Sequence, residues 1–372
     1  MVVSQLKNSM QQAKGRLGSL KTALAGAVQF RPIVYGFSNA RIHAMRSLLL
    51  STAQLDEIAA QPSVQGIIQV LERSPYKEDI VAYALRYRGA SLVEHALGRN
   101  FSRAAKKVVS FAPQDGKETV QGFLERYDVN NLRTILIGKH LKKSREDIED
   151  KLVLVGQMGP LEVSQLLGAQ SVEDALAVIR THRYGSVLWS IRKDGIEKIL
   201  ATLDKLYYMN VQKKVTSIDP KARGVLKMLK VELDGKNVST IMRCKAAGMK
   251  SEAILELVIA GGNFAKNDIS QMIEAQGIEQ VATVAAKRYH GLDATIAKYT
   301  QTKRISEFEI AFGKMVGQLG AIEFRKSALS VATLIGFLML KESRMENIRK
   351  IVRGREFGLA PERIKELLVE VG

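Results

Sequence analysis

The sequence predicts an all-α protein made of three similar helical domains. Three observations carry this reading. One segment is written three times, at intervals of 106 and 110 residues; it begins at Asn131, Asn237 and Asn347 and runs without a gap to Gly156, Gly262 and Gly372. Long stretches of the chain place apolar residues at the three-four spacing of a helix, and none alternates convincingly as a strand does. Prolines number only seven in 372 residues, so few helices are interrupted.

Each copy reads as a helical hairpin. The Asn is followed by a branched apolar residue (Leu132, Val238, Ile348) and then by an Ile-plus-apolar pair (Ile135-Leu136, Ile241-Met242, Ile351-Val352), all on one helix face. Asp128 and Asp234, three residues before their Asn, stand where N-caps would be. In the third copy Ser343 and Glu346 have capping-box spacing. Lys139, Lys245 or Arg355 falls eight positions after the Asn, in the last turn, where a cation complements the helix dipole. Gly248 and Gly358 then occupy the left-handed position that ends a helix. Copy one has Lys142 there, so a different helix end is expected for it. Cys244 aligns with Gly138 and Gly354, which marks a tight packing position. The second helix carries Ile148, Ile254 and Ile364 in register, with Leu152, Val258 and Leu368 four residues on, and Pro361 suits its first turn.

The repetition extends beyond the first two hairpins. Ser164 to Gln170 matches Ser270 to Gln276, and Glu57 to Gln61 is a third version. Arg-Tyr pairs follow at Arg86-Tyr87, Arg183-Tyr184 and Arg288-Tyr289, and then a helix with Glu94, Glu197 or Glu307, expected to pair with the Arg-Tyr element. The third hairpin has no continuation, whereas the N-terminal region has the continuation without a full hairpin. The expected organisation is therefore circular. Residues 31–127 form a first unit completed by 341–372, residues 128–233 a second, and residues 234–340 a third, around a pseudo-three-fold axis in a ring or funnel. Residues 1–30 form a basic amphipathic extension (Leu6, Met10, Leu17, Leu20, Leu24) with no apolar core of a secretory signal.

Composition narrows the function. The formal charge of +18 calls for an acidic partner or surface: nucleic acid, anionic lipid or an acidic protein. A single cysteine excludes an internal disulfide and fits a reducing, cytoplasmic setting. The longest apolar stretch, Val331 to Leu340, is half a membrane span and reads as a buried core helix. The five histidines (His43, His95, His140, His182, His290) have no metal-ligand spacing. Phosphate-binding glycine loops, nucleophile elbows and paired catalytic carboxylates are absent from the sequence. The reading is a non-enzyme with no catalytic, cofactor-binding or metal site and no cofactor.

Three segments resemble a central-stalk component of A/V-type rotary ATPases, the C subunit of the archaeal type and the d subunit of the vacuolar enzyme. They are Tyr35-Gly36-Phe37-Ser38-Asn39-Ala40-Arg41-Ile42, Phe123 to Leu132 leading into Lys139, and Asn347 to Arg355. The resemblance runs from about Tyr35 to the C-terminus and leaves residues 1–30 uninterpreted. It implies an all-helical funnel on the cytoplasmic face of the membrane, peripheral to it. Such a stalk protein links the membrane rotor ring of proteolipid subunits to the axle of the ATP-hydrolysing or synthesising head, and transmits torque for proton or sodium transport. Rotor ring and axle would meet opposite ends of the funnel, with the basic loops at Lys142, Lys143 and Lys250 on the ring side and anionic lipid headgroups as a further partner. No nucleic acid is expected on this reading. The alternatives are a basic all-α nucleic-acid-binding protein, marked by salt-dependent binding, and a helical scaffold unrelated to ATPases.

Overall fold

The computed structural model describes residues 31–218, 223–326 and 329–369. The amphipathic extension 1–30 and the end of the third copy, residues 370–372, lie outside them. The described residues are all-α, without a strand. In chain order the helices are α1 (Arg31–Arg46), α2 (Thr52–Ala60), α3 (Val64–Leu71), α4 (Lys77–Tyr83), α5 (Gly89–Phe111), α6 (Gln114–His140), α7 (Arg145–Glu149), α8 (Pro160–Gly168), α9 (Val172–Val178), α10 (Gly185–Ser190), α11 (Ile196–Ile218), α12 (Arg223–Ala246), α13 (Ser251–Leu257), α14 (Lys266–Glu274), α15 (Ile278–Arg288), α16 (Asp293–Thr302), α17 (Ser306–Lys326), α18 (Val331–Glu356) and α19 (Pro361–Leu367). A 3-10 turn, His290–Leu292, precedes α16.

Six long helices make the frame. The first helix of each hairpin packs along a long helix from the continuation: α6 on α11, α12 on α17, and α18 on α5. The last pair joins the end of the chain to its beginning. Helix α18 also packs on α1, α2 and α3, and α19 packs on α2. The short helices repeat this relation, since α19 meets α2 as α7 meets α8 and α13 meets α14. The apolar run Val331 to Leu340 is buried throughout at the start of α18, and this explains how so hydrophobic a segment belongs to a chain with no helix, among the described residues, long and apolar enough to cross a membrane.

The hairpin helices begin earlier than the capping residues suggest. Asp128, Asp234, Ser343 and Glu346 all lie inside α6, α12 and α18, so none is an N-cap. The two aspartates instead reach across to the chain that leaves the hairpin. Asp128 accepts the Gln157 and Met158 amides at 2.6 and 3.1 Å, and Asp234 accepts the Asn263 amide at 2.8 Å. The repeated glycines make room for this. A Cβ on Gly156 would lie 2.2 Å from the Asp128 carboxylate, and one on Gly262 would lie 1.8 Å from that of Asp234.

The three asparagines hold the returning segment of each hairpin in the same way. Each side-chain amide donates to a carbonyl 22 residues on and accepts that residue's N–H. The partners are Val153 for Asn131, Ile259 for Asn237 and Val369 for Asn347, at 2.8–2.9 Å in all six bonds. The basic residue then caps the last turn of the next helix. Lys139 donates to Leu167 O, Lys245 to Ala275 O and Arg355 to Ala59 O, each at 2.6 Å. The Arg355 bond spans 296 residues and is made to the N-terminal third. The packing position also holds: a Cβ on Gly138 or Gly354 would fall 2.5 or 2.7 Å from Ile148 or Ile364.

The helix end of copy one is the same as the others, contrary to the expectation from Lys142. Lys142, Gly248 and Gly358 have φ of 52°, 69° and 68°. The following amides, Lys143, Met249 and Leu359, bond the carbonyls of Gly138, Cys244 and Gly354 at 2.9, 3.0 and 2.8 Å, which is the Schellman pattern. Lys142 therefore accepts the left-handed conformation at a steric cost. Lys142→Gly should raise stability by roughly 0.5–1 kcal/mol, the relief of that strain less the extra entropy of glycine in the unfolded chain. Urea unfolding should show the gain, and Lys142→Ala should show none.

Candidate interaction site

The segment Phe123 to Leu132 shows how the site is assembled, because each polar residue has a different task. Glu125 is buried and takes a two-oxygen contact from Arg183 Nη1 at 3.0 and 2.8 Å, with Asn210 donating at 2.8 Å. Asp128 and Asn131 hold the hairpin return. Arg126 turns the other way, toward the middle of the molecule. Its guanidinium lies over Phe123, 4.0 Å from the ring centroid. It reaches Glu232 at 3.1 Å from Nη2 and Glu342 at 3.6 Å from Nη1.

These three residues occupy one column of the repeat. Each stands five positions before its Asn, so equivalent points of α6, α12 and α18 meet here as one cation and two carboxylates. Tyr127 donates to Glu342 at 2.5 Å and Tyr208 to Glu232 at 3.2 Å, so each carboxylate accepts one phenol beside the shared guanidinium. Burial pushes the Glu342 carboxyl above its usual range against the pull of Arg126 and Tyr127. Burial would lower Arg126, but Glu232 and Glu342 outweigh it and hold the group well above its ordinary range.

The triad forms the floor of a cavity of about 770 Å³. Its walls come from α6, α11, α12, α17 and α18, together with the returns at Ile259 and Val369. On α12 the lining runs from Glu232 to Arg243, about 16 Å along the helix at 1.5 Å per residue. From α11 and α17 it takes the N-terminal halves, Glu197 to Asp204 and Glu309 to Gly317. The pairs Arg133–Asp204 and Arg243–Glu309 show that these helices run antiparallel to their hairpin partners. The cavity is therefore a cup in the half of the frame where the hairpins turn.

The turns carry the basic loops singled out by sequence. Lys142, Lys143 and Lys250 are all exposed. Beside them stand uncovered apolar side chains: Leu141 in the first turn, Met249 in the second, Phe357 and Leu359 in the third. The recurring glutamates do not pair with the Arg-Tyr elements. Glu94 pairs with Arg353 and Glu307 with Arg363, both from the last hairpin, while Glu197 is exposed on the cup. The Arg-Tyr tyrosines serve as joints: Tyr87 donates to Asp150 and Tyr289 to Asp234, and Tyr184 accepts from Asn210. Among the described residues no group of three His, Cys, Asp or Glu could hold a metal ion. The three-residue column at the floor escapes a repeat register that starts at the Asn. Extended five residues back, the same register aligns Arg126, Glu232 and Glu342.

A second buried cation joins α18 to the N-terminal helices. Lys341 lies 5.3 Å from the Tyr76 ring centroid, and burial lowers its pKa to about 8, with Asp79 opposing. A lysine with a depressed folded-state pKa releases its proton earlier in the native state, so the unfolded chain binds more protons above pH 8 and stability rises with pH there. Lys341→Met should stabilise the protein at pH 7 by an amount on the order of 2–3 kcal/mol, less the lost ring contact. The gain should shrink between pH 8 and 10 in guanidinium titrations. A variant less stable than wild type at pH 7 would mean that the ring and Asp79 contacts outweigh the burial cost.

The family model of the ATP synthase (C/AC39) subunit matches residues 38–367. The chain belongs to that family. It is 27% identical over 339 residues to the C subunit of the A-type ATP synthase of Methanosarcina barkeri, covering 91% of this chain and 93% of the relative. It is 23% identical over 346 residues to the protein of the same name from Thermoplasma acidophilum, covering 89% and 97%. Membership makes the chain a non-catalytic stalk subunit of an A/V-type rotary ATPase. The nucleic-acid-binding alternative finds no support. The segment Tyr35 to Ile42, which carried part of the resemblance, lies on α1, where Ser38 Oγ donates to Phe111 O at 2.6 Å and Arg41 lies over Phe37.

Proposed function

We propose that this stalk subunit is the mechanical coupling between the membrane rotor ring and the axle of the head, with the cup as the socket for the axle. On this reading the chain consists of three helical units, 31–127 with 341–372, 128–233 and 234–340, arranged about a pseudo-three-fold axis as a funnel. The observation that carries it is the meeting of Arg126, Glu232 and Glu342 at one point under an open cup. A cup receives the end of a rod, and an annular ring has no end to insert. The hairpin turns then rim the axle side, with Leu141, Met249 and Phe357 available to grip its flank. The assignment of the Lys142, Lys143 and Lys250 loops to the ring gives way to this one, because the turns share the half of the frame that holds the cup. The ring, and anionic headgroups around it, meet the opposite end. That end includes α1, whose Arg46 lies over Phe324 near the C-terminus of α17. Basic residues there would each gain about 1 kcal/mol at an anionic surface.

The test is coupling. Without this subunit the head should still hydrolyse ATP, and hydrolysis should not drive ion movement in reconstituted vesicles. A cysteine at Lys142, in a Cys244→Ser background, should cross-link to the axle. Normal pumping by a complex lacking the chain would overturn the coupling role, and a cross-link to the ring would reverse the orientation.

A further inference from the structure

The cup differs in charge from the rest of the molecule. The chain carries +18, yet the cup is lined by six carboxylates and five cations. The wall cations are already committed. Arg133 and Lys236 both hold Asp204, Arg243 holds Glu309, and Lys350 donates to the Leu367 carbonyl. The carboxylates are not all satisfied. Glu197 has no ion-pair partner among the described residues, and Glu232 and Glu342 share one guanidinium. The last two are also the open members of the floor: their side chains keep 29% and 23% of their surface, against 12% for Arg126. The floor therefore presents two carboxylates against one guanidinium to whatever enters.

We propose that the cup selects an occupant whose inserted helical end carries a lysine or arginine at its tip, which completes the floor as a second cation between Glu232 and Glu342. The proposal rests on the reading of the cup as the axle socket and adds the chemistry of the axle's tip. An acidic or purely apolar tip would leave the two carboxylates sharing one cation with their water removed, a costly state. Rim charge elsewhere on this basic chain would steer an approaching partner, whereas a desolvated pair at the floor acts on how long it stays.

The experiment uses the full-length chain and the purified axle subunit of the same complex as the probe. Binding is measured by biolayer interferometry between 50 and 500 mM salt. Glu342→Gln and Glu232→Gln keep the acceptor oxygens for Tyr127 and Tyr208, and wild-type thermal unfolding would show that they fold. Each is expected to weaken binding roughly ten-fold, mainly through faster dissociation. Neutralising one basic residue at the axle tip should weaken binding equally and should not add to the floor variants in a double-mutant cycle. This arm also decides the matter if a floor variant fails to fold. Binding unchanged within two-fold in both floor variants, tighter binding in either, or full additivity with the tip variant would overturn the cationic tip while leaving the socket in place. Failure of the wild-type chain to bind the axle at all would instead overturn the socket reading.

Discussion

Arg126→Met is expected to cost about 3 kcal/mol or more of unfolding free energy, the range seen when one partner of a buried ion group is removed. The substitution keeps volume and apolar contact with Phe123 but leaves Glu232 and Glu342 facing each other without a cation. Since both carboxylates retain some exposure to the cup, water offsets part of the penalty and the value falls at the low end of the roughly 3–5 kcal/mol range. The triple variant Arg126→Met, Glu232→Gln, Glu342→Gln should recover most of the loss, because it removes the charges while leaving oxygens for Tyr127 and Tyr208. Guanidinium unfolding of wild type, the single variant and the triple variant measures both effects. A single-variant cost below about 1 kcal/mol would show that the triad is not an electrostatic junction, and a triple variant no better than the single would point to packing instead.

Asn237→Ala should cost about 2–4 kcal/mol, because it orphans the N–H and the carbonyl of Ile259, each a buried group worth roughly 1–3 kcal/mol when left unpaired. Ile259 is 4% exposed, so water cannot readily replace the lost side chain. Asn131→Ala should cost less, since its partner Val153 is only half-buried. Asn237→Asp should be no better than alanine: a carboxylate still accepts the N–H but repels the carbonyl. The ranking in urea unfolding is the test. Equal losses at 131 and 237 would mean that burial does not govern the clamp.

What the sequence could show followed from how local each signal is. The apolar spacing around Asn131, Asn237 and Asn347 identifies helices because neighbours on one face are set within a few residues. The same asparagines recur because each ties a segment 22 residues away, still inside the repeated unit. The starts of α6, α12 and α18 were not legible. Asp128 has the same side chain whether it caps its own helix or holds an amide 29 residues on. Lys142 misled for a related reason: residue type states the cost of a left-handed conformation, while the flanking bonds decide whether it is met. The partners of Glu94 and Glu307 were misassigned because both come from the last hairpin, 259 and 56 residues away. The triad was the hardest to see. A column of Arg, Glu and Glu looks like drift in a repeat until three helices are brought to one point.

The bond from Arg355 to Ala59 has a consequence for how the molecule is made. A ribosome delivers α2 to α5 well before α18, the helix that covers them. With α5 ending at Phe111 and α18 beginning at Val331, the gap is some two hundred residues, roughly 10–45 s of synthesis at 5–20 residues per second. Through that interval the apolar faces of the first-born helices wait without their covering, while the hairpins after them can close on sequence already in hand. Nascent chains stalled before Val331 should therefore be the aggregation-prone ones, and the emergence of α18 is the event that seals the helices made before it.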